Sequence, residues 1–313
     1  MRKHRRFVLG ATVLALALIA AACGSGGDDA NEDPNNSDAG EGQTAITIGV
    51  SGAFAENQVV AEMYAQVLEQ NGYDVTRELD IESRDVGNTA LESGEIDLKP
   101  EYTGPELLTF DESADASGTP EEVAQRLADE AADKGLDIYG ISPANSSNVF
   151  VATPEVIGQY SLSNLSSLSG PAADLSLGAP PDCPTNPFCE PGLKKVYGVE
   201  FADIRKLDFG GPKTVAALDS GAVQVGVLFS LDPTIDDKGF VILPDDKQML
   251  AVGNFAPIVR QDVSSPALQA LLDPVTTSLT DEDMVSMVDR IQNDREDVED
   301  VASDYLTEKE LAS

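Results

Sequence analysis

Apolar residues along this chain switch between two periods. Residues 45–50 form a short, β-branched run, and Ser51-Gly52 makes a turn. Over 57–71, Val59, Val60, Met63, Val67 and Leu68 fall at helical spacing, and Gly72 ends the run. A short strand is predicted around 73–77. Residues 121–134 read as a helix with Pro120 at its start. Strands are predicted over 148–153, 174–178, 223–229 and 240–243, and helices over 267–279, 281–293 and 296–305. Strands alternating with helices predict parallel sheets covered by helices, and the roughly 270 residues involved suffice for two α/β lobes.

One internal match suggests that the two lobes share a substructure. Leu91-Glu-Ser-Gly-Glu-Ile-Asp-Leu98 parallels Leu218-Asp-Ser-Gly-Ala-Val-Gln-Val225, each reading as a helix end, a glycine cap and a strand start. The same distance beyond Gly94 and Gly221 stands an aromatic followed by a hydroxyl, Tyr102-Thr103 and Phe229-Ser230. Ligands of open α/β sheets bind beyond the carboxyl ends of the strands. Two facing lobes would therefore bring Tyr102 and Phe229 to opposite walls of one cleft. Aromatic walls suit a quaternary ammonium, which has no N–H to donate and is held by ring faces. Ser51-Gly52 and Gly210-Gly211-Pro212 each precede a helix, whose free N–H groups suit a carboxylate. Each glycine pair is also read as an ordinary tight turn, and either ring as core.

The first residues carry an export pattern. Arg2, Lys3, Arg5 and Arg6 precede an apolar run over 7–20 that is too short for a good membrane span, and Ala20-Ala21-Ala22-Cys23 follows. Residues 1–22 therefore read as a signal peptide. A cysteine after three small residues resembles a bacterial lipobox, with Ala20 where leucine is usual, so Cys23 is the expected lipidated N-terminus. Simple cleavage near Ala22 is the alternative. Residues 23–44 are too polar to bury a core and read as a flexible tether.

Composition narrows the chemistry. There are 20 Lys+Arg against 55 Asp+Glu, a net charge of −35. Loss of the signal peptide removes four bases and leaves 16 against 55, about −39. Such a surface repels phosphate backbones and argues against nucleic acid. The single histidine, His4, leaves with the signal peptide, so His-dependent catalysis and His-ligated zinc are excluded from the mature chain. Cys183 and Cys189 flank a Pro-rich loop and read as a disulfide in an exported protein, with a pair of free thiols as the alternative. Residues 281–300 hold nine acids without calcium-loop spacing and read as a solvated helix face.

At this point the chain resembles the substrate-binding lipoproteins of ABC importers for glycine betaine, choline or carnitine. The matching pieces are Ile48-Gly-Val-Ser-Gly-Ala-Phe-Ala-Glu-Asn-Gln58, Gly94-Glu-Ile-Asp-Leu-Lys-Pro-Glu-Tyr-Thr-Gly104, Gly192-Leu-Lys-Lys-Val-Tyr-Gly198, Val227-Leu-Phe-Ser-Leu-Asp-Pro233 and Phe240-Val-Ile-Leu-Pro-Asp-Asp-Lys247. The resemblance implies a two-lobed α/β fold of the type II periplasmic-binding-protein class, closing by a hinge on a ligand between the lobes. The first lobe would hold 45–147 and 253–313, the second 148–252, with hinges at 146–148 and 253–255. It implies a cage of aromatics with polar partners: Tyr102, Thr103 and Phe229, with Asn148, Asp208 and Gln58 or Asn57. The sequence departs from the pattern at Asn254 and Ala144, where the family often has tyrosine. It implies no enzymatic activity, no cofactor and no metal. The expected partners are a small quaternary amine or zwitterion, an ABC permease and the membrane through the lipid; the chain is expected to be a monomer. The alternatives are a receptor for another polar solute, an exported carboxylate-dependent hydrolase and a structural lipoprotein.

Overall fold

The computed structural model describes residues 44–52 and 54–312. The signal segment expected over 1–22, the lipidation site Cys23 and the tether over 23–44, its last residue apart, lie outside these residues. Among the described residues, no helix is long and apolar enough to cross a membrane.

The chain begins with β1 (Ala45–Ser51), α1 (Ala55–Gln70), β2 (Asp74–Ile81), α2 (Arg84–Ser93), β3 (Leu98–Tyr102), α3 (Thr103–Phe110), α4 (Pro120–Ala132) and β4 (Leu136–Ile138). It crosses into a second set: β5 (Asn148–Ala152), α5 (Pro154–Tyr160), β6 (Ser176–Ala179), α6 (Glu190–Gly192), β7 (Asp203–Lys206), α7 (Pro212–Asp219), β8 (Val225–Phe229), α8 (Thr234–Lys238) and β9 (Val241–Leu243). It then returns through β10 (Phe255–Arg260) to α9 (Pro266–Ser278), α10 (Asp281–Gln292) and α11 (Val298–Glu308). The strands form two five-stranded sheets, ordered β2-β1-β3-β10-β4 and β7-β6-β8-β5-β9.

The sheets are mixed, which corrects the expectation of parallel ones. β1, β2 and β3 run parallel, as do β6, β7 and β8. β10 pairs antiparallel with β3 and β4, and β5 pairs antiparallel with β8 and β9. In each sheet the antiparallel strand, fourth in the order, is the one that has just crossed from the other lobe, so it enters against the strand direction. β10 escapes notice in the sequence because it contains Pro257, and proline is rare in central strands. Pro257 lies opposite Pro100 of β3. Neither proline has an N–H, so the pair must occupy a non-hydrogen-bonded position of the ladder, where none is required.

The lobe cores follow from side-chain direction. In β5, Phe150 joins one apolar layer while Val149 and Val151 join the layer on the other face. A strand buried on both faces reads as a continuous apolar run, as this one does. In α1, all residues over 56–68 are buried except Gln58 and Gln66. That helix is buried almost all round because one side meets the first sheet while α9, α10 and α11 cover the other, through Val275, Met287, Val301 and Leu306 among others. The Tyr64 hydroxyl, taken into this core, is satisfied by Thr276 Oγ1 at 2.6 Å.

The two lobes repeat one arrangement, as the internal match suggested. Gly94 (φ 81°) and Gly221 (φ 68°) are both left-handed residues closing a helix before the strand that ends in Tyr102 or Phe229. Tyr102 lies opposite Phe255 and Phe229 opposite Asn148, at the start of each crossing strand. The next amide then donates to the other segment, Thr103 N to Asn254 O at 3.0 Å and Ser230 N to Ser147 O at 2.9 Å.

The two crossings run side by side. Asn145 bridges Asn254, Ser146 N donates to Gly253 O at 2.9 Å, and Gly253 N donates to Asn145 Oδ1 at 2.6 Å. A side chain at residue 253 would place its Cβ 1.8 Å from the Ser146 carbonyl oxygen. Gly253→Ala should therefore force the crossings apart and cost roughly 1–3 kcal/mol, as overpacking does. Urea denaturation of the variant against the parent checks this; equal midpoints would mean that the crossings yield without cost.

Candidate ligand-binding site

A cavity of about 270 Å³ opens where the crossings meet the carboxyl ends of β3 and β8. Phe54, Glu56, Arg84, Tyr102, Pro105 and Leu108 line it from the first lobe. Ser146 and Ser147 come from the crossing, Asn148, Asn186, Phe188 and Phe229 from the second lobe, and Leu250 and Ala251 from the return.

Three rings meet there edge to face. The Phe54 ring lies 6.2 Å from Tyr102 at an interplanar angle of 88°, and 6.0 Å from Phe229 at 80°. Tyr102 is backed by Phe255, 5.0 Å away. T-shaped packing puts the positive edge of one ring on the negative face of another. Phe54 occupies the N-cap of α1, and its half-buried ring bridges the rings that end β3 and β8. Phe188 and Asn186 are held by a loop that the Cys183–Cys189 disulfide closes. This settles the choice between a disulfide and free thiols.

Behind the rings is a buried charged network. Arg84 Nη2 donates to Glu101 Oε1 at 3.0 Å, and its Nε is 3.4 Å from Glu106 Oε2. Lys99 Nζ is 3.1 Å from Glu106 Oε1 and 3.5 Å from Glu101 Oε2, and also donates to Asn88 Oδ1. Lys99, Glu101 and Glu106 are all buried, and the Arg84 side chain retains 29% exposure on the cavity side. Once Glu106 is ionised, two cations and two carboxylates balance, which is what makes burial tolerable. Glu101 Oε1 also accepts the Tyr102 amide at 2.9 Å, so the network grips the residue that carries the ring. Burial disfavours the Glu101 charge, but Lys99 and Arg84 hold its pKa below the ordinary range. Burial pushes Glu106 up to about 7, Glu101 adding repulsion while Lys99 and Arg84 oppose it.

Other residues expected at the site are elsewhere in the wall or behind it. Tyr102, Phe229 and Asn148 line the cavity; Thr103, Asp208, Gln58, Asn57 and Asn254 do not. Asp208 caps α7, accepting from Lys213 N at 2.9 Å and from Thr214 N at 3.0 Å and Thr214 Oγ1 at 2.7 Å. The amides expected to receive a ligand carboxylate there are thus already taken by the chain's own carboxylate. Gln58 Nε2 ties α1 to β2 through Leu79 O at 3.0 Å. Asn254 Nδ2 donates to Ser142 O at 2.9 Å and to Ala144 O at 3.2 Å, bracing the turn before the crossing. Thr103 is wholly buried, and Ala144 is core. Phe54, Glu56, Arg84 and Phe188 were not singled out from the sequence. The first two lie inside a quoted motif, Phe54 at the N-cap of the first helix and Glu56 in its first turn. Arg84 and Phe188 carry no such signal.

With this geometry in view, residues 44–308 match the family described as the substrate binding domain of the ABC-type glycine betaine transport system. The chain belongs to this family. Its members are transport receptors rather than enzymes. Among curated relatives, the glycine-betaine-binding protein of Pseudomonas aeruginosa is 29% identical over 286 residues, covering 85% of this chain and 89% of that one. The glycine betaine-binding protein YehZ of Escherichia coli is 24% identical, covering 81% and 87%. A solved glycine betaine/carnitine/choline ABC transporter structure superposes with a TM-score of 0.77 at 19% identity, covering 87% of this chain and 100% of that chain. Apo YehZ superposes with a TM-score of 0.69 at 23% identity, covering 86% and 99%. These superpositions establish the two-lobed type II binding-protein fold.

The charged network has a measurable signature. Glu106 titrates at 4.5 ordinarily and at about 7 in the fold. The native state therefore keeps a proton that the unfolded chain releases. Its stabilising contribution is complete below about pH 4.5 and is lost as pH rises through about 7. Glu106→Gln should flatten that part of the stability profile, read as denaturation midpoints across the interval. Parallel profiles for the variant and the parent would place the titration elsewhere.

Proposed function

We propose that this chain is an extracytoplasmic receptor that takes a quaternary-ammonium osmolyte into the cavity between its lobes and delivers it to an ABC permease. Glycine betaine, choline and carnitine are the candidate ligands. The observation that carries this is the convergence of Phe54, Tyr102 and Phe229 on one cavity where both central strands end. A trimethylammonium group has no N–H, so ring faces recognise it, each contributing about 0.5–2 kcal/mol. Asn148 and Arg84 supply polar contacts for a carboxylate or hydroxyl on the ligand's other end. Thr103, Gln58, Asp208 and Asn254 act by holding the wall in place. Phe209, 62% exposed, lines a smaller hollow shared with Asn148, Phe188 and Phe229 and is placed to add a ring on closure.

In this reading the lobes, 45–147 with 253–313 and 148–252, close by bending at the paired crossings around Ser146–Asn148 and Gly253–Phe255. Cys23 carries lipid, the tether over 23–44 gives the receptor reach, and the receptor works as a monomer beside its permease. The acidic surface is a solvated face.

Two measurements test the reading. Glycine betaine or choline, added at about a hundred times Kd, should stabilise the protein by about 2.7 kcal/mol. That appears as a rise in melting temperature, with no turnover of the ligand. Phe229→Ala should weaken binding about tenfold, near 1.4 kcal/mol, by calorimetry. No stabilisation by any quaternary amine would overturn the ligand class, and unchanged affinity would remove Phe229 from the site.

A further inference from the structure

Glu56 is a buried carboxyl with no cation paired to it among the described residues. It lines the cavity among the aromatic rings and is 7% exposed. Among the described residues it makes no ion pair, in a protein whose other buried acids, Glu62, Glu101 and Glu106, are all paired with Arg or Lys. Ser146 Oγ donates to it at 3.1 Å, from the crossing between lobes. The buried Tyr102 hydroxyl faces the carboxyl and favours its charged form. An unpaired buried carboxylate is costly, and a cation brought alongside removes that cost.

We propose, on the functional reading above, that Glu56 is the counter-ion for the ligand's positive head, that it selects cationic ligands over neutral ones of the same shape, and that it gives up its proton to solvent as the cation enters. Ring faces alone favour a cation only modestly; a carboxylate in the same low-dielectric wall adds direct attraction. The groups facing Glu56 are consistent with this. From β3 comes Tyr102, from the crossing Ser146, and from the turn after β8 Asp232, whose negative charge disfavours ionisation. Its own amide at the start of α1 favours ionisation. Arg84, across the cavity wall, is engaged by Glu101 and Glu106. Burial is the largest influence and raises the carboxyl above its ordinary range in the empty protein. An arriving cation reverses that balance, so affinity should rise with pH as Glu56 ionises. Ser146 lies on the crossing, so the same carboxyl links the occupied cavity to the segment about which the lobes would close.

The probes are choline and the uncharged alcohol in which a tert-butyl group replaces its trimethylammonium, with glycine betaine alongside. Calorimetry should show the parent preferring choline strongly to the alcohol. Glu56→Gln should weaken choline about tenfold or more, leave the alcohol unchanged and abolish the pH dependence of choline binding. In buffers of different ionisation enthalpy, the parent should release a proton on binding choline and the variant none. The melting temperature of the empty variant should not fall, since glutamine keeps a partner for Ser146 and resembles the neutral carboxyl that it replaces. Equal losses for choline and the alcohol, or choline binding untouched by the substitution, would overturn the counter-ion role while leaving the functional reading intact. A parent that binds no quaternary amine at all would overturn both.

Discussion

β3 and β8 put their aromatic ends on one cavity because each is paired with a strand that has just crossed from the other lobe. Tyr102 sits opposite Phe255 and Phe229 opposite Asn148, and the next amide of each strand donates to the neighbouring crossing segment. Those hydrogen bonds fix the depth at which each central strand stops. A shift of one residue in either register would send the terminal side chain to the opposite face of its sheet and remove a ring from the cavity. The site is therefore a consequence of strand pairing, and the paired crossings are at once its floor and the segment on which the lobes would turn.

The wall is built with two different electrostatic solutions a short distance apart. Lys99, Arg84, Glu101 and Glu106 neutralise one another, so a buried network can brace β3 and α3 beneath Tyr102. Among the described residues Glu56 has no such partner, and it faces the space that a ligand would fill. Charges in a low-dielectric wall are costly unless compensated. The first set is compensated by the protein, which suits a support. The second is left for something that arrives, which suits a receptor. Family membership and this asymmetry point the same way, though they rest on independent observations.

Much of this architecture can be read from local patterns. The helix over 57–71, the strand ending at Phe229 and the three C-terminal helices follow from apolar spacing and from glycine and proline punctuation, with ends displaced by up to three residues. The repeated Leu-acid-Ser-Gly segment located both central strands and the aromatic at the end of each, because a left-handed glycine and a fixed strand length are local properties. β10 was invisible because a proline in a central strand is acceptable only when its neighbour across the ladder asks for no hydrogen bond. Asp208 was placed at the ligand because a carboxylate before a helix start has the same sequence signature whether it faces a ligand or caps its own helix.

Composition and short-range order thus established the α/β class and two lobes, and singled out Tyr102 and Phe229 as the residues to watch. Those features depend on spacing along the chain, which folding does not alter. Long-range packing added the mixed sheets, Phe54 between the two rings, Arg84 behind the wall and the isolation of Glu56. Whether a carboxylate is paired depends on which residues, distant in sequence, come within a few ångströms of it. Arg77 reaches Glu62 and Lys99 reaches Glu106, while among the described residues no lysine or arginine forms an ion pair with Glu56. In a chain with 55 acids, that difference in surroundings is what separates a candidate functional carboxylate from the rest.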